Sequence, residues 1–282
     1  MMNSTHSIET TIQSRKSVRT YSGKVIPSEL KERIQKSFDQ LSGPFEAPLR
    51  FKWLDIPLLK GDEKVLFGTY GVILGANNFI AGAVKKGDHA LEQFGYAFEN
   101  LILIVTSMGL GTCWMGGTFS RSQFARAMHL IDNEWLPAIT PVGYPSWARG
   151  PIDLLFKPIT GRIRFPWMKL FFNEDLQHPL TPDTSGDYAI PLEMVRIAPS
   201  AANRQPWRIL KQGNQFHFLL AHNLGYNGKY DFDMQKIDVG IAMFHFEVTA
   251  REKGLKGEWK VNSPTVHDLP EDWEYIVTWQ AK

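Results

Sequence analysis

The chain has 282 residues, of which 43% are hydrophobic, with a formal charge of +2 at pH 7 and a single cysteine. That length is enough to bury a core in one large domain or two small ones, and the composition excludes disorder as the overall state. The near-neutral charge gives no case for nucleic acid as the main partner, and Cys113 alone can build neither an intramolecular disulfide nor a thiolate metal cluster.

The opening stretch MMNSTHSIETTIQSRKSVRTY has no apolar h-region, so a cytoplasmic protein is expected, and the Asn3-Ser4-Thr5 sequon is read as chance. Ser28 to Leu41 reads as an amphipathic helix with Leu30, Ile34, Phe38 and Leu41 on one face and Ser28 as its cap. LRFKWLD and TYGVILGA read as strands. His89 to Met108 carries the strongest helical period, and Gly109 suits the left-handed position that stops it. The uncharged run Asn100 to Ser120 is long enough to span a bilayer. Its five Gly and Trp residues and its upstream glutamates favour a buried helix followed by a loop, so no membrane partner is expected. A short helix over Arg121 to Leu130 and a buried strand in LPAITPVGYP follow.

Residues 146 to 187 show little period and read as a surface connector. IPLEMVRI then gives a helix, and the next strands form a hairpin turning at Gln212-Gly213-Asn214. IDVGIAMFHFEVTAREKG gives a second long helix ending at Gly254, with Arg251 and Lys253 in its last turn. This helix repeats the first. Gly95, Ala97, Gly109, Leu110 and Trp114 fall on Gly240, Ala242, Gly254, Leu255 and Trp259 at one ungapped offset of 145 (240 − 95 and 259 − 114). Five identities that include a tryptophan point to an internal duplication. The expected division is a first copy at 1–150, a connector at 151–187 and a second, degenerate copy at 188–282. The two would pack as one unit in which a single chain imitates a homodimer.

Three stretches carry chemistry. In SRKSVRTYSGK, Arg15, Ser17 and Arg19 alternate, with Lys16 and Lys24 nearby; such a segment can hold a phosphate by charge-assisted hydrogen bonds, or be a solvated basic terminus. In APSAANRQPW, Pro199 stops a helix, Ser200, Ala201 and Ala202 allow close approach of a flat ligand, and Asn203 and Gln205 offer paired donors and acceptors. A tight loop with self-satisfied amides is the competing reading. In GLGTCWMGG, the third glycine of a dinucleotide fingerprint is missing and the stretch follows a helix rather than a strand. Gly116 and Gly117 still permit backbone to approach a ligand.

Together, RKSVRTY, APSAANRQPW, GLGTCWMGG and the later VGYP resemble the nitroreductase-like family of FMN-dependent oxidoreductases, in its single-chain tandem branch. The resemblance implies an α+β fold of mixed, mostly antiparallel sheets flanked by helices. It implies FMN as cofactor, NADH or NADPH as donor and a small aromatic or quinone-type acceptor. Arg15 and Ser17 would bind the phosphate and ribityl end, with Lys16 beside them. Arg19 would lie near the flavin N1/O2 edge, and a backbone N–H of Gly117 or Gly116 near N5. Pro199, Ser200 and Asn203, with Gln205, would cover the ring from the other copy, facing RKSVRTY across the flavin. No side-chain acid or base is required. The late phosphate-binding residue maps ambiguously to Arg149, Arg162 or Arg164, and the acidic residue common in the family at position 116 is replaced by glycine. Neither motif recurs in its mirror-image place, which predicts one FMN per chain, carried by a monomeric pseudo-dimer or a weak homo-oligomer. A flavin-binding protein without turnover and a degenerate scaffold are the alternatives.

Other signals are set aside. His217 and His222 do not form a ligand pair, DFDMQKID lacks the glycine and final glutamate of a calcium loop, and Cys113 reads as a small buried residue. Tyr96, Phe119 and Phe124 read as core rather than as pocket wall.

Overall fold

The computed structural model describes residues 7–55, 68–146, 163–223, 225, 230–261 and 269–282. The chain divides into two compact units, one comprising Met1–Ser7 and Ser14–Gly161, the other Ile8–Gln13 and Arg162–Lys282. Both are mixed α and β, with sheets in which, among the described residues, six of the seven strand pairings are antiparallel.

In the first unit, helix α2 (Ser28–Ser37) precedes β1 (Leu49–Asp55) and β2 (Asn78–Lys85). Helix α3 (Ala90–Ser107), β3 (Gly111–Thr112), α4 (Arg121–Met128) and β4 (Glu134–Gly143) follow. The sheet order is β1-β2-β4-β3. Thirteen residues of α3 are buried, Phe94, Phe98, Leu101, Ile102 and Val105 completely, so its apolar stripe is core packing and not a bilayer contact. No helix among the described residues is long and apolar enough to cross a membrane.

The short helix α1 (Ile8–Ser14) lies almost wholly in the second unit, where Ile8 N–H donates to Glu252. That unit continues with α5 (Trp167–Leu170), β5 (Phe171–Asn173), α6 (Ala189–Arg196), β6 (Trp207–Gln212) and β7 (Gln215–Ala221). Helix α7 (Met234–Glu252), β8 (Gly257–Lys260) and β9 (Trp273–Ala281) complete it. Its sheet order is β5-β6-β7-β9-β8. With α1, α5 and the edge strand β5, which pairs parallel to β6, set aside in the second unit, and α4 in the first, each unit runs helix, strand, strand, long helix, short strand, strand, with the last two strands exchanged in the sheet.

The two long helices also end alike. Gly109 and Gly254 both have φ of +77°. Gly109 N–H donates to Thr106 and Leu110 N–H to Val105; Gly254 N–H donates to Arg251 and Leu255 N–H to Ala250. These are the same bonds displaced by 145 residues (254 − 109). Trp114 Nε1 donates to Glu99 at 2.6 Å, and Trp259 Nε1 donates to Glu247 at 2.6 Å. The carboxylates are not equivalent by number, since 99 + 145 is Phe244; each helix supplies the acceptor from its own turn.

Three expectations are corrected. The apolar run at 69–76 is not a strand: Tyr70, Gly71 and Gly75 all have positive φ, and a chain that turns three times cannot stay extended. The strand is Asn78–Lys85, whose interior is buried on both sides and so shows no alternation. The stretch read as a surface connector puts β5 into the second sheet and buries Leu170, Phe171 and Leu180 completely. Ser28 is the first helical residue of α2 rather than its cap; Pro27 holds that position without a side-chain bond.

Candidate functional site

In the first unit the structure joins two of the three chemistry-bearing stretches. Val18 N–H donates to Thr112 O at 2.8 Å, and Ser17 bridges Thr112 in parallel, which lays the basic segment along β3. Gly111 makes this possible. A Cβ there would sit 2.8 Å from Val18 Cγ2 and 2.9 Å from Val18 Cβ, closer than real side chains come. Arg15 is then drawn inward: its side chain is 8% exposed, with Nε 3.9 Å from the fully buried Glu99. Arg15 Nη1 is buried and has no hydrogen-bond partner among the described residues. Leaving such a donor unmet costs about 1–3 kcal/mol, and an anionic oxygen is the acceptor that suits a guanidinium best. Arg15 therefore fits the phosphate of the expected FMN. Ser17 and Arg19 are half-buried beside it, and Lys16 is exposed.

The Gly116–Gly117 turn follows Met115, whose N–H and C=O both pair with Ile139 at 3.0 Å. Gly116 O accepts from Arg121 Nη2 at 2.7 Å, and Gly117 is exposed. Arg121 was not singled out from the sequence. The available signal was its place at the start of α4, where the helix dipole disfavours a cation. The side chain leaves that end, lies 4.9 Å from the Phe119 ring centroid and also donates to Leu136 O.

In the second unit the Pro199–Gln205 loop is strained and heavily tied. Ala202, Asn203 and Gln205 have φ of +47°, +57° and +49°, a conformation that costs roughly 1–2 kcal/mol at Ala202 and Gln205 and less at an asparagine. Such a backbone persists only when its surroundings over-determine it. Here Ser200 Oγ accepts from Gln205 N–H at 2.9 Å, and Gln205 Nε2 donates to Asn203 O at 3.1 Å. Asn203 Nδ2 donates to Ile163 O at 2.8 Å, Arg164 donates to Asn203 Oδ1, and Phe165 N–H donates to Gln205 Oε1 at 2.8 Å. The amides of Asn203 and Gln205 thus hold the segment 163–165. Arg164 Nη2 also donates to Ile197 O at the end of α6, at 3.1 Å. Pro199 and Ser200 are half-buried. Arg149 and Arg162 lie outside the described residues.

Beneath this loop lies Asp238 on α7, 3% exposed, accepting Ala201 N–H with both oxygens at 3.0 and 3.1 Å. Burial pushes its carboxyl well above the usual range, and the like charge of Asp233 adds to this against the Ala201 bond. Sequence reading passed over Asp238 because it sits in a long apolar helix with no motif around it.

The signals set aside find structural employment. His217 is buried, its Nδ1 is 2.8 Å from Thr278 Oγ1, and burial lowers its pKa to about 4, so it is neutral. Asp233 of DFDMQKID caps α7 by accepting Gln235 N–H at 2.8 Å, and no metal-holding cluster occurs among the described residues. Cys113 is 2% exposed, and Phe119 and Phe124 pack edge to face in the core.

A family model described as Putative TM nitroreductase matches residues 7–250. A crystal structure of a putative nitroreductase from Thermotoga maritima MSB8 is similar over 99% of this chain and 96% of its own, with 22% identity and a TM-score of 0.60. A putative NADH dehydrogenase/NAD(P)H nitroreductase from Bacteroides thetaiotaomicron VPI-5482 covers 51% of this chain and 89% of its own, at 22% identity and a TM-score of 0.41. A nitroreductase with bound FMN from Bacteroides fragilis NCTC 9343 covers 52% and 92%, at 18% identity and a TM-score of 0.39.

Proposed function

The chain belongs to the family described as Putative TM nitroreductase, and on that premise we propose that it is an FMN-dependent NAD(P)H oxidoreductase acting on a small aromatic or quinone-type acceptor. The observation that carries this reading is Arg15: a buried guanidinium donor without an acceptor among the described residues, on a segment docked beside the Gly-rich turn. Bound FMN would supply hydride acceptance from the nicotinamide and hydride delivery to the acceptor. The chain's own part is to bind and orient. Arg15 and Ser17 hold the phosphate and ribityl end, Arg19 places positive charge near the flavin N1/O2 edge, and the Gly116–Gly117 turn offers a backbone N–H. Pro199, Ser200 and Asn203 are assigned to the ring. With the 163–165 segment already occupying the amides of Asn203 and Gln205, the loop's contribution is a preformed surface rather than free hydrogen-bonding edges.

The test is the visible spectrum of FMN-loaded protein before and after anaerobic NADH or NADPH. Bleaching is expected; a spectrum that stays oxidised with both donors leaves flavin binding without turnover, and no quench on FMN titration rejects the flavin itself. Arg15→Ala is expected to weaken FMN binding by about 10- to 100-fold, the range for losing a hydrogen bond to a charged group. The shared element order, helix ends and tryptophan bonds of the two units support an internal duplication as their origin.

A further inference from the structure

The strained loop is hydrogen-bonded to the long helix of its unit through a buried side chain. Asp238 takes the Ala201 N–H between its two oxygens, at 3.0 and 3.1 Å, immediately before the left-handed residues Ala202, Asn203 and Gln205. The first unit has a counterpart. Position 238 corresponds to 93 (238 − 145), where Gln93, also 3% exposed, accepts Phe45 N–H at 2.9 Å. Phe45 lies in the loop between α2 and β1, as Ala201 lies in the loop between α6 and β6. Both loops close with a proline before their strand, Pro48-Leu49 and Pro206-Trp207. The same helix position thus tethers the same loop in each unit.

We propose that Asp238 is a positioning residue: it anchors Ala201 and thereby fixes the left-handed backbone of the loop that the proposed function assigns to the flavin ring. It needs to be an acceptor, not a charge, because the counterpart is a neutral amide and the carboxyl is buried with a like charge, Asp233, acting on it. The inference rests on the flavin reading for its functional consequence, whereas its structural core, the Ala201 tether, does not.

The experiment compares Asp238→Asn, which keeps an acceptor, with Asp238→Leu, which keeps bulk and removes it. Hydrogen exchange of the Ala201 amide and FMN affinity by fluorescence quenching are read on the full chain. Asp238→Asn is expected to stay within about 3-fold of wild type in both, and Asp238→Leu to exchange Ala201 at least about 10-fold faster and bind FMN about 10-fold more weakly, as loss of a buried acceptor implies. Protection of β6 and β7 amides reports that the unit is folded; if Asp238→Leu does not fold, Asp238→Ala makes the same comparison without added bulk. Unchanged Ala201 exchange in the variant lacking an acceptor overturns the proposal, and so does Asp238→Asn that is as damaging as Asp238→Leu. If wild-type protein binds no FMN, the functional reading fails while the exchange result still decides the tether.

Discussion

Asp238 is a buried carboxyl whose pKa burial raises well above the ordinary carboxylate range, against the opposing pull of its Ala201 hydrogen bond. Its sign follows from linkage. The folded state holds this proton at pH values where the unfolded chain, near the ordinary 3.8, releases it. The stabilisation it gives is therefore complete below that value and declines as pH rises toward the raised folded pKa. Urea midpoints measured from about pH 4 upward should fall less steeply for Asp238→Asn than for wild type. Identical slopes would mean that the carboxyl ionises normally. Asp233, the charge acting on Asp238, is paired with His222 at 3.2 Å, and both residues are present in wild type and variant alike. At this scale the sequence marked Arg15, Ser17 and Asn203 as polar residues in suggestive places. It could not show that Arg15 has a buried donor unmet among the described residues while Asn203 is satisfied, because each answer depends on partners far along the chain: Glu99 for Arg15, Ile163 and Arg164 for Asn203.

Among the elements, the short strand β3 is what ties the basic segment to the Gly-rich turn, and Gly111 is its critical residue. Gly111→Ala should force Val18 outward, lower FMN affinity and destabilise the first unit by about 1–3 kcal/mol, the usual cost of overpacking. Gly109→Ala, where a Cβ meets nothing within 4 Å, should cost only the left-handed backbone term of about 1 kcal/mol and leave FMN affinity unchanged. Equal effects on affinity would show that β3 does not carry the segment. The long helices, the hairpin at Gly213 and the short helix at 121–128 were legible from period and turn residues. The strand at 78–85 was not, because burial of both faces removes the alternation that marks a strand. The turning run before it, rich in apolar residues, imitated one.

For the whole molecule, the two units share an order of elements apart from α4 in the first and α1, α5 and β5 in the second, yet each chemistry-bearing motif occurs once. The basic segment belongs to the first unit and the APSAANRQPW loop to the second. One FMN per chain is therefore expected, and absorbance of bound flavin against protein concentration measures it. A ratio near two would refute the single-site reading.

The sequence by itself determined the kind of secondary structure over most of the chain, the repeat at an offset of 145, and the set of motifs that place the chain in its family. Those properties are written locally, in helical period, glycine stops and short polar runs. The tertiary structure alone decided that β5 joins the second sheet, that Arg121 holds the Gly116 turn, that Arg15 keeps an unmet donor, and that Asp238 anchors the strained loop. Each of these depends on which buried donor meets which acceptor across tens of residues, and burial makes that choice energetically decisive without leaving a local pattern to read.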